Sequence, residues 1–374
     1  MHVYPKFASK SKMERGAGDT VRWNKILRVS KATSAHTPGT LIPSTSALAL
    51  TSNYKEASME NWGSSFGWNE DIDVTSYISR PEHQKVIAQQ MVNTLDYQVS
   101  KKMSTGCFRH RIDKDPVYIA SSVCTAASTT TVLTGGSGLV TTNDDKNGGY
   151  VTITNPSGPG YDETALITDS VTTTADTITA TFTQAPTAAS YCHLTIGTDI
   201  KSTDVMTTTA LMDCSGRHEL FETEKFKGGI YRMFMHAAQH RDLWDDTTFM
   251  NSAIYDDSDR LENYKIGRWF DIEFMISSNL YREDEDGTEN QLTGVVYVAP
   301  VFGANAYNVV SFANPGGSGD FAVNWLYVDK PDSQNLSMAA RWATWKGMYA
   351  AAVTRSTSII GLMTGATDMG ITTS

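Results

Sequence analysis

The stretch Ser79-Arg80-Pro81-Glu82-His83-Gln84-Lys85-Val86-Ile87-Ala88-Gln89-Gln90-Met91-Val92-Asn93-Thr94-Leu95-Asp96-Tyr97-Gln98-Val99-Ser100-Lys101-Lys102-Met103-Ser104-Thr105-Gly106 decides the fold. It opens on a capping box with proline in the first turn, where a missing N–H costs nothing. Ile87, Met91, Leu95 and Val99 recur at i+4, and Val86, Val92 and Met103 widen the stripe. Lys101 and Lys102 favour the negative end of the dipole and Gly106 supplies the stop. About 25 residues at ~1.5 Å each make a rod of nearly 40 Å, long for a globular domain. The pattern predicts a spine.

Upstream, Glu60-Asn61-Trp62-Gly63-Ser64-Ser65-Phe66-Gly67-Trp68 mixes aromatics with turn formers and reads as an extended hairpin. Trp62, Phe66 and Trp68 on such a polar segment predict packing against another surface, including another chain, with Lys55 nearby to pair with an acidic neighbour. Further upstream, residues 1–32 hold eight basic residues (Lys6, Lys10, Lys12, Arg15, Arg22, Lys25, Arg28 and Lys31) against Glu14 and Asp19, a net of +6. The whole chain carries −10, so the remainder carries −16. A basic arm on an acidic body suits a neighbouring subunit's acidic surface or nucleic acid.

Downstream, the composition changes abruptly between residues 117 and 197. Lys146 is its one basic residue, tryptophan is missing, and about a quarter of it is threonine. Short runs at 131–134, 150–154 and 177–182 alternate with Gly-Gly and Asn-Pro turn signals, which reads as an inserted β-barrel or sandwich with a wet face. After it, Ser202-Thr203-Asp204 is expected to cap a helix through Cys214. Strands are expected at 229–235, 270–276, 294–298 and 358–363, with a helical turn from His236 to Trp244. Met338, Trp342 and Trp345 at i, i+4, i+7 predict an amphipathic helix over 335–348. Strands and helices mix without a regular βαβ repeat, so the parent fold is α+β.

The 374 residues, 40% hydrophobic and 19% charged, exclude a disordered acidic tail, and no apolar run approaches the ~18 residues of a membrane span. The first residues lack the apolar core of a secretory signal, which implies a chain kept in a cytoplasm. Cys107, Cys124, Cys192 and Cys214 form no C-x-x-C pair, although Cys124 and Cys192 flank one segment. His236 and His240 have the spacing of a helical zinc pair, but Ala237 stands where a metalloprotease needs glutamate. Arg282-Glu283-Asp284-Glu285-Asp286-Gly287 fails as a calcium loop at both ends and reads as an acidic hairpin tip. The glycine-rich 135–138 and 316–319 lack the Lys-Ser/Thr of a phosphate loop, and Asp245-Asp246 and Asp256-Asp257 need no catalytic role. Catalytic residues, metal ligands and cofactors are expected to be none.

The order of parts resembles the major capsid protein of tailed bacteriophages. Motifs carry the resemblance over residues 228–353. They are Gly229-Ile230-Tyr231-Arg232-Met233-Phe234-Met235-His236, Arg241-Asp242-Leu243, Ile266-Gly267-Arg268, Ser278-Asn279, Val301-Phe302-Gly303-Ala304-Asn305-Ala306-Tyr307, and Trp342-Ala343-Thr344-Trp345-Lys346-Gly347-Met348-Tyr349-Ala350-Ala351. The resemblance implies the α+β Hong Kong 97-like fold plus the inserted all-β module. Its parts are a basic N-terminal arm (1–40), an E-loop-like hairpin (41–78), the P-domain spine helix (79–116) and the insertion (117–197). An A-domain with P-domain strands (198–334) and a closing helix and strand (335–374) complete it.

It further implies that many copies assemble as hexamers and pentamers into an icosahedral virion shell around double-stranded DNA, in the host bacterial cytoplasm and without a membrane. Lys55, Trp62, Phe66 and Trp68 then contact an adjacent subunit. Lys6, Lys10, Lys12, Arg15, Arg22, Lys25 and Arg28 contact a neighbour or the genome. Ile87, Met91, Leu95 and Val99 pack on the P-domain sheet. Any scaffolding protein is a separate chain, and portal and decoration proteins are further partners. Two alternatives stand beside this: an encapsulin-like compartment enclosing protein, and a monomeric carbohydrate-binding or adhesin-like protein built on the threonine-rich module.

Overall fold

The computed structural model describes residues 4–13, 18–26, 52–69, 80–112, 119–123, 128–134, 140, 148–154, 162–171, 176–186, 191–195, 200–250, 267–284, 288–291, 294–312, 323–328 and 340–367. Strands β1 (Ser9–Met13), β2 (Thr20–Ile26), β3 (Ser52–Ser58) and β4 (Glu60–Asn69) precede the long helix α1 (Arg80–Gly106). Then come β5 (Phe108–Arg111), β6 (Ile119–Val123), β7 (Val132–Thr134), β8 (Tyr150–Thr154), β9 (Glu163–Val171), β10 (Thr177–Ala180) and β11 (Tyr191–Thr195). The chain continues through α2 (Thr208–Leu220), β12 (Tyr231–Met235), α3 (Ala237–Asp245), β13 (Arg268–Trp269), β14 (Ile272–Ile276), β15 (Arg282–Glu283) and β16 (Val296–Phe302). The closing strands are β17 (Tyr307–Phe312), β18 (Val323–Val328), β19 (Ala340–Val353) and β20 (Ile359–Thr364).

Two compact units result. The first gathers Met1–Val21, Glu56–Lys102 and Tyr307–Ala352. Its sheet runs β1-β17-β19-β18, with β4 also paired to β19. Ile87 and Trp345 form a buried cluster with Trp62 and Met91 packed against it. Trp345 donates its Nε1–H to Gln90 Oε1 at 2.7 Å, and Tyr349 donates its hydroxyl to the Leu95 carbonyl at 3.3 Å. Along the i+4 stripe, Ile87, Leu95 and Val99 are buried and Met91 is half-buried. Val86 is an exception, 59% exposed on the outer side of the rod.

Two expected elements are corrected here. Residues 340–353 form a strand, not the end of a helix. The i, i+4 step fits both a helix and a strand, since four is even, whereas the three-residue step from Trp342 to Trp345 fits a helix alone. The neighbours β4 and β18 each offer a ladder to this run of Trp, Thr and Ala, so the two-residue period wins. Trp345 and Tyr349 share the buried face, and Met338 lies outside the described residues. Likewise, Glu60–Trp68 is not a hairpin but part of one ten-residue strand along β19, with Trp62 opposite Gly347 and Phe66 opposite Ala343. The two-stranded ribbon is instead β2 with β3.

The second unit holds Arg22–Lys55, Met103–Ala306 and Val353–Ser374. Its main sheet runs β13-β14-β12-β16-β20-β5, with β15 also on β16. Val296, Val298, Ala299, Val301 and Phe302 of β16 and Ile359, Ile360 and Leu362 of β20 are fully buried, as near-continuous apolar runs in a sheet covered on both faces must be. Gly361 is required there: a Cβ would stand 2.3 Å from Cys107 Sγ. The threonine-rich segment forms a separate, wholly antiparallel sheet, β6-β11-β8-β9-β10-β7, around Leu133, Val151, Ile153, Ile167, Ile178 and Phe182. The α2 start is also corrected, from Ser202 to Thr208. Asp204 spends its carboxylate on the upstream Lys201 N–H (2.7 Å), so Thr207 becomes the cap.

The main sheet contains a buried ion pair. Arg109 on β5 makes two bonds to Glu283 on β15, at 2.7 and 2.8 Å, with side chains 1% and 0% exposed. Tyr150 of the threonine-rich sheet lays its ring 3.8 Å from the guanidinium carbon. Burial disfavours the charge on Arg109, but the adjacent carboxylate outweighs it and holds the guanidinium's pKa above its ordinary value. Arg109→Met strands the Glu283 charge and is expected to lower subunit stability by about 3–5 kcal/mol. Arg109→Met with Glu283→Leu should recover most of that loss in denaturant unfolding. A double variant as unstable as the single one refutes this account.

Candidate assembly surfaces

The expected contact residues fall on two strands, β3 and β4. Trp62 faces inward, half-buried, with its ring centroid 6.3 Å from Tyr349. Phe66, two pairs of positions further along β4, is 42% exposed. Trp68 lies opposite Arg341 in the ladder. Lys55 is on β3, where its ammonium contacts Glu163 of β9 at 2.6 Å within its own chain. Trp62 thus serves the spine's core and Lys55 an internal ion pair, while Phe66 offers apolar area to the outside.

The basic N-terminal residues divide in a similar way. Tyr4–Lys6 form a short 3-10 turn with Tyr4 buried. The Tyr4 N–H donates to Asp96 Oδ1 on α1 at 3.0 Å, and the Tyr307 hydroxyl donates to the Tyr4 carbonyl. β1 then runs parallel to β17, from Ser9 opposite Asn308 to Met13 opposite Phe312. Residues 4–13 are therefore docked on their own unit rather than reaching out as an arm, with Lys6, Lys10 and Lys12 exposed along them. Lys6 also sits 5.5 Å from the Phe7 ring. Arg22, exposed on β2, stacks 4.2 Å over the Tyr54 ring of β3. Lys25 is on β2, while Arg15 and Arg28 lie outside the described residues.

The side chains tested for chemistry have structural partners. His236 caps α3: its Nδ1 accepts from the Ala238 N–H at 3.2 Å, while Gln239 returns a bond to its backbone. His240 accepts from Trp244 Nε1 at 2.8 Å. No group of three or more metal-ligating side chains occurs among the described residues. Cys107 and Cys214 are buried, and burial pushes their thiols up to about 11 and about 12, which keeps them protonated. Glu283 of the expected acidic tip is instead fully buried on β15 beside β16, and Asp284 accepts from Asn290 at 3.0 Å. Asp246 caps the start of α2 through Thr208, at 2.9 Å to both N–H and hydroxyl. The two glycine-rich loops, Asp256, Asp257 and Cys124 lie outside the described residues. So does residue 335 and its surroundings. No helix among the described residues is long and apolar enough to cross a membrane.

Sequence reasoning missed Tyr4, Asp96, Arg109 and Glu163, each of which joins segments 92 to 174 residues apart. Nothing local marks such pairs. The run Phe108-Arg109-His110-Arg111 holds two arginines and a histidine in four residues, and the strand it forms is buried throughout, where charges need partners.

No family model matches the sequence, and no curated protein matches it. Solved structures do match. The capsid of cyanophage P-SCSP1u is 11% identical, with a TM-score of 0.55 over 98% of this chain and 89% of that one. The capsid of Ralstonia phage GP4 is 12% identical, with a TM-score of 0.53 over 97% and 88%. The capsid of cyanophage Pam1 is 10% identical, with a TM-score of 0.52 over 94% and 86%. The chain has the fold of tailed-phage capsid proteins, the Hong Kong 97-like α+β fold. The likeness spans nearly the whole of it.

Two measurements follow. Phe66→Ser should leave the unfolding midpoint of the isolated subunit within about 0.5 kcal/mol, whereas Trp62→Ala should cost about 2–3 kcal/mol. Equal losses would put both residues in the same core. Burial also lowers His218 to about 3 and, with Arg282 adding, His236 to about 4. In the unfolded chain both titrate near the ordinary ~6.5. The unfolded state therefore takes up protons first as pH falls, so stability is flat above about 6.5 and declines below it. At pH 5, fully buried His218 alone accounts for about 2 kcal/mol of loss relative to pH 7.5. Denaturation midpoints equal at the two pH values would refute the assignment.

Proposed function

We propose that this protein is the structural subunit of a phage head, with many copies closing as hexamers and pentamers into an icosahedral shell around double-stranded DNA. One observation carries the reading: a fold shared across nearly the entire chain with the capsid proteins of several phages. The subunit's own physics supports it. The β2–β3 ribbon is a two-stranded sheet, marginal in water without something to lie on. Phe66 leaves apolar area uncovered on β4. Both features are answered by a neighbouring copy.

The role follows as assembly rather than catalysis. Lys10 and Lys12, side by side in exposure on β1, and Arg22 on β2 are the candidate contacts to a neighbour or to packaged DNA. A net charge of −10 keeps the subunit as a whole from binding DNA tightly, which suits a container whose contents must move during filling. A separate scaffolding protein, a portal and a decoration protein are the expected partners.

Negative-stain microscopy of purified protein, alone and with the scaffolding protein co-expressed, tests this. Closed shells tens of nanometres across are expected, and nuclease-protected DNA within particles from infected cells separates a virion from an encapsulin-like compartment. A protein that remains a ~41 kDa monomer under all these conditions ends the capsid reading.

A further inference from the structure

The ion pair between Lys55 and Glu163 joins the ribbon to the inserted sheet, and its setting is unusual for a surface contact. Glu163 is nearly buried, its side chain 8% exposed. Its carboxylate is held from inside the module by the Thr183 N–H, at 3.0 and 2.9 Å, and by the Thr183 hydroxyl at 2.6 Å. Lys55 Nζ completes the set at 2.6 Å. The acceptor is thus fixed before the lysine reaches it, so little side-chain entropy is lost on the acid's side when the bond forms.

The next residue back points the other way. Asp162, 1% exposed and held at a φ of 58°, accepts from Arg355 Nε at 3.0 Å and from the Thr357 hydroxyl. A non-glycine residue in that left-handed region costs energy that the surrounding bonds must offset. The pair Asp162-Glu163 therefore carries two opposed loads. One carboxylate ties the module to the segment leading into β20, and the other ties the module to β3. With Tyr150 closing over Arg109 of β5, the module is attached to the main sheet and the segment leading into it at two places besides its link to the ribbon. On the ribbon, Arg22 stacked on Tyr54 couples β2 to β3, so that holding β3 holds both strands.

We infer that the inserted module is a catch for the β2–β3 ribbon, with Lys55–Glu163 as the latch, and that it sets the angle at which the ribbon meets a second copy. The first half concerns one subunit alone. The second half rests on the capsid reading. An insertion that fixes an assembly ribbon has a function inside the subunit and need not bind anything beyond it.

The test uses full-length protein and two independent readouts. Hydrogen exchange of the unassembled subunit at residues 52–58 should quicken roughly tenfold in Lys55→Met, with the module's own core around Ile153, Ile167 and Ile178 unchanged. Lys55→Arg should restore most of the protection. Glu163→Gln, which keeps the shape and loses the charge, should quicken the same segment. Unchanged exchange at 52–58 in both Lys55→Met and Glu163→Gln overturns the catch. Loosening that spreads equally through the module also overturns it, because the pair would then be serving the module's fold. Shells of Lys55→Met should show a broader or shifted diameter distribution than wild type by electron microscopy. Exchange that quickens while shell diameters match wild type sinks the angle-setting half alone. A wild-type protein that forms no shells sinks the capsid reading and leaves the exchange result to judge the catch.

Discussion

The second unit depends on one electrostatic commitment, the Arg109–Glu283 pair. It links β5 to β15, two strands with β20 and β16 between them in the sheet. Two charges withdrawn from water are expensive, and the cost is tolerable only because the geometry is bidentate and the Tyr150 ring covers the exposed face of the guanidinium. That requirement propagates. β5 is an edge strand buried at all four positions with the module lying over it, the Tyr150 ring against Arg109. Cys107 and Gly361 fit beneath the same strand, where any Cβ on 361 meets the thiol. An edge with paired charges inside it cannot slide in register, and a covered edge cannot template the wrong partner.

The legible parts of this fold were those written in local period. The helix from residue 80 to 106 needed no tertiary knowledge, because its stripe, its stop and its length all agree, while the expected cap Ser79 lies outside the described residues. β12, β16 and β20 were readable as apolar runs too short for helices. The aromatic closing segment was not. Trp342 and Trp345 fit a helix by spacing, and only the two flanking ladders of β4 and β18 make a strand the better solution. β18 lies just upstream at positions 323–328, but β4 comes from positions 60–69, so no window around residue 345 contains both partners.

The candidate contact residues were legible as types and not as roles. Trp62, Phe66 and Trp68 share one strand, yet the helix spine claims Trp62 and leaves Phe66 outside. Which of them is core depends on where α1 crosses the sheet, a tertiary fact. Lys55, expected to pair with an acid of a neighbouring subunit, bonds Glu163, 108 residues away in the same chain. Charge pairing in the sequence says that a partner is needed and is silent on whose.

A shell subunit has a particular problem with stability. Its contacts must be strong in sum and weak singly, or assembly errors could not be undone before the shell closes. On the capsid reading proposed above, the described surfaces follow that logic: the partly exposed Phe66, a narrow ribbon and scattered lysines offer modest contacts each, multiplied by copy number. Rigidity must then come from within the subunit, since a flexible ribbon would spend its small contact energy on its own ordering. The buried arginine pair, the docked N-terminal strand and the Asp162-Glu163 tie each remove freedom before a neighbour arrives. An inserted sheet tied at both carboxylates is therefore better understood as part of the frame than as an ornament upon it.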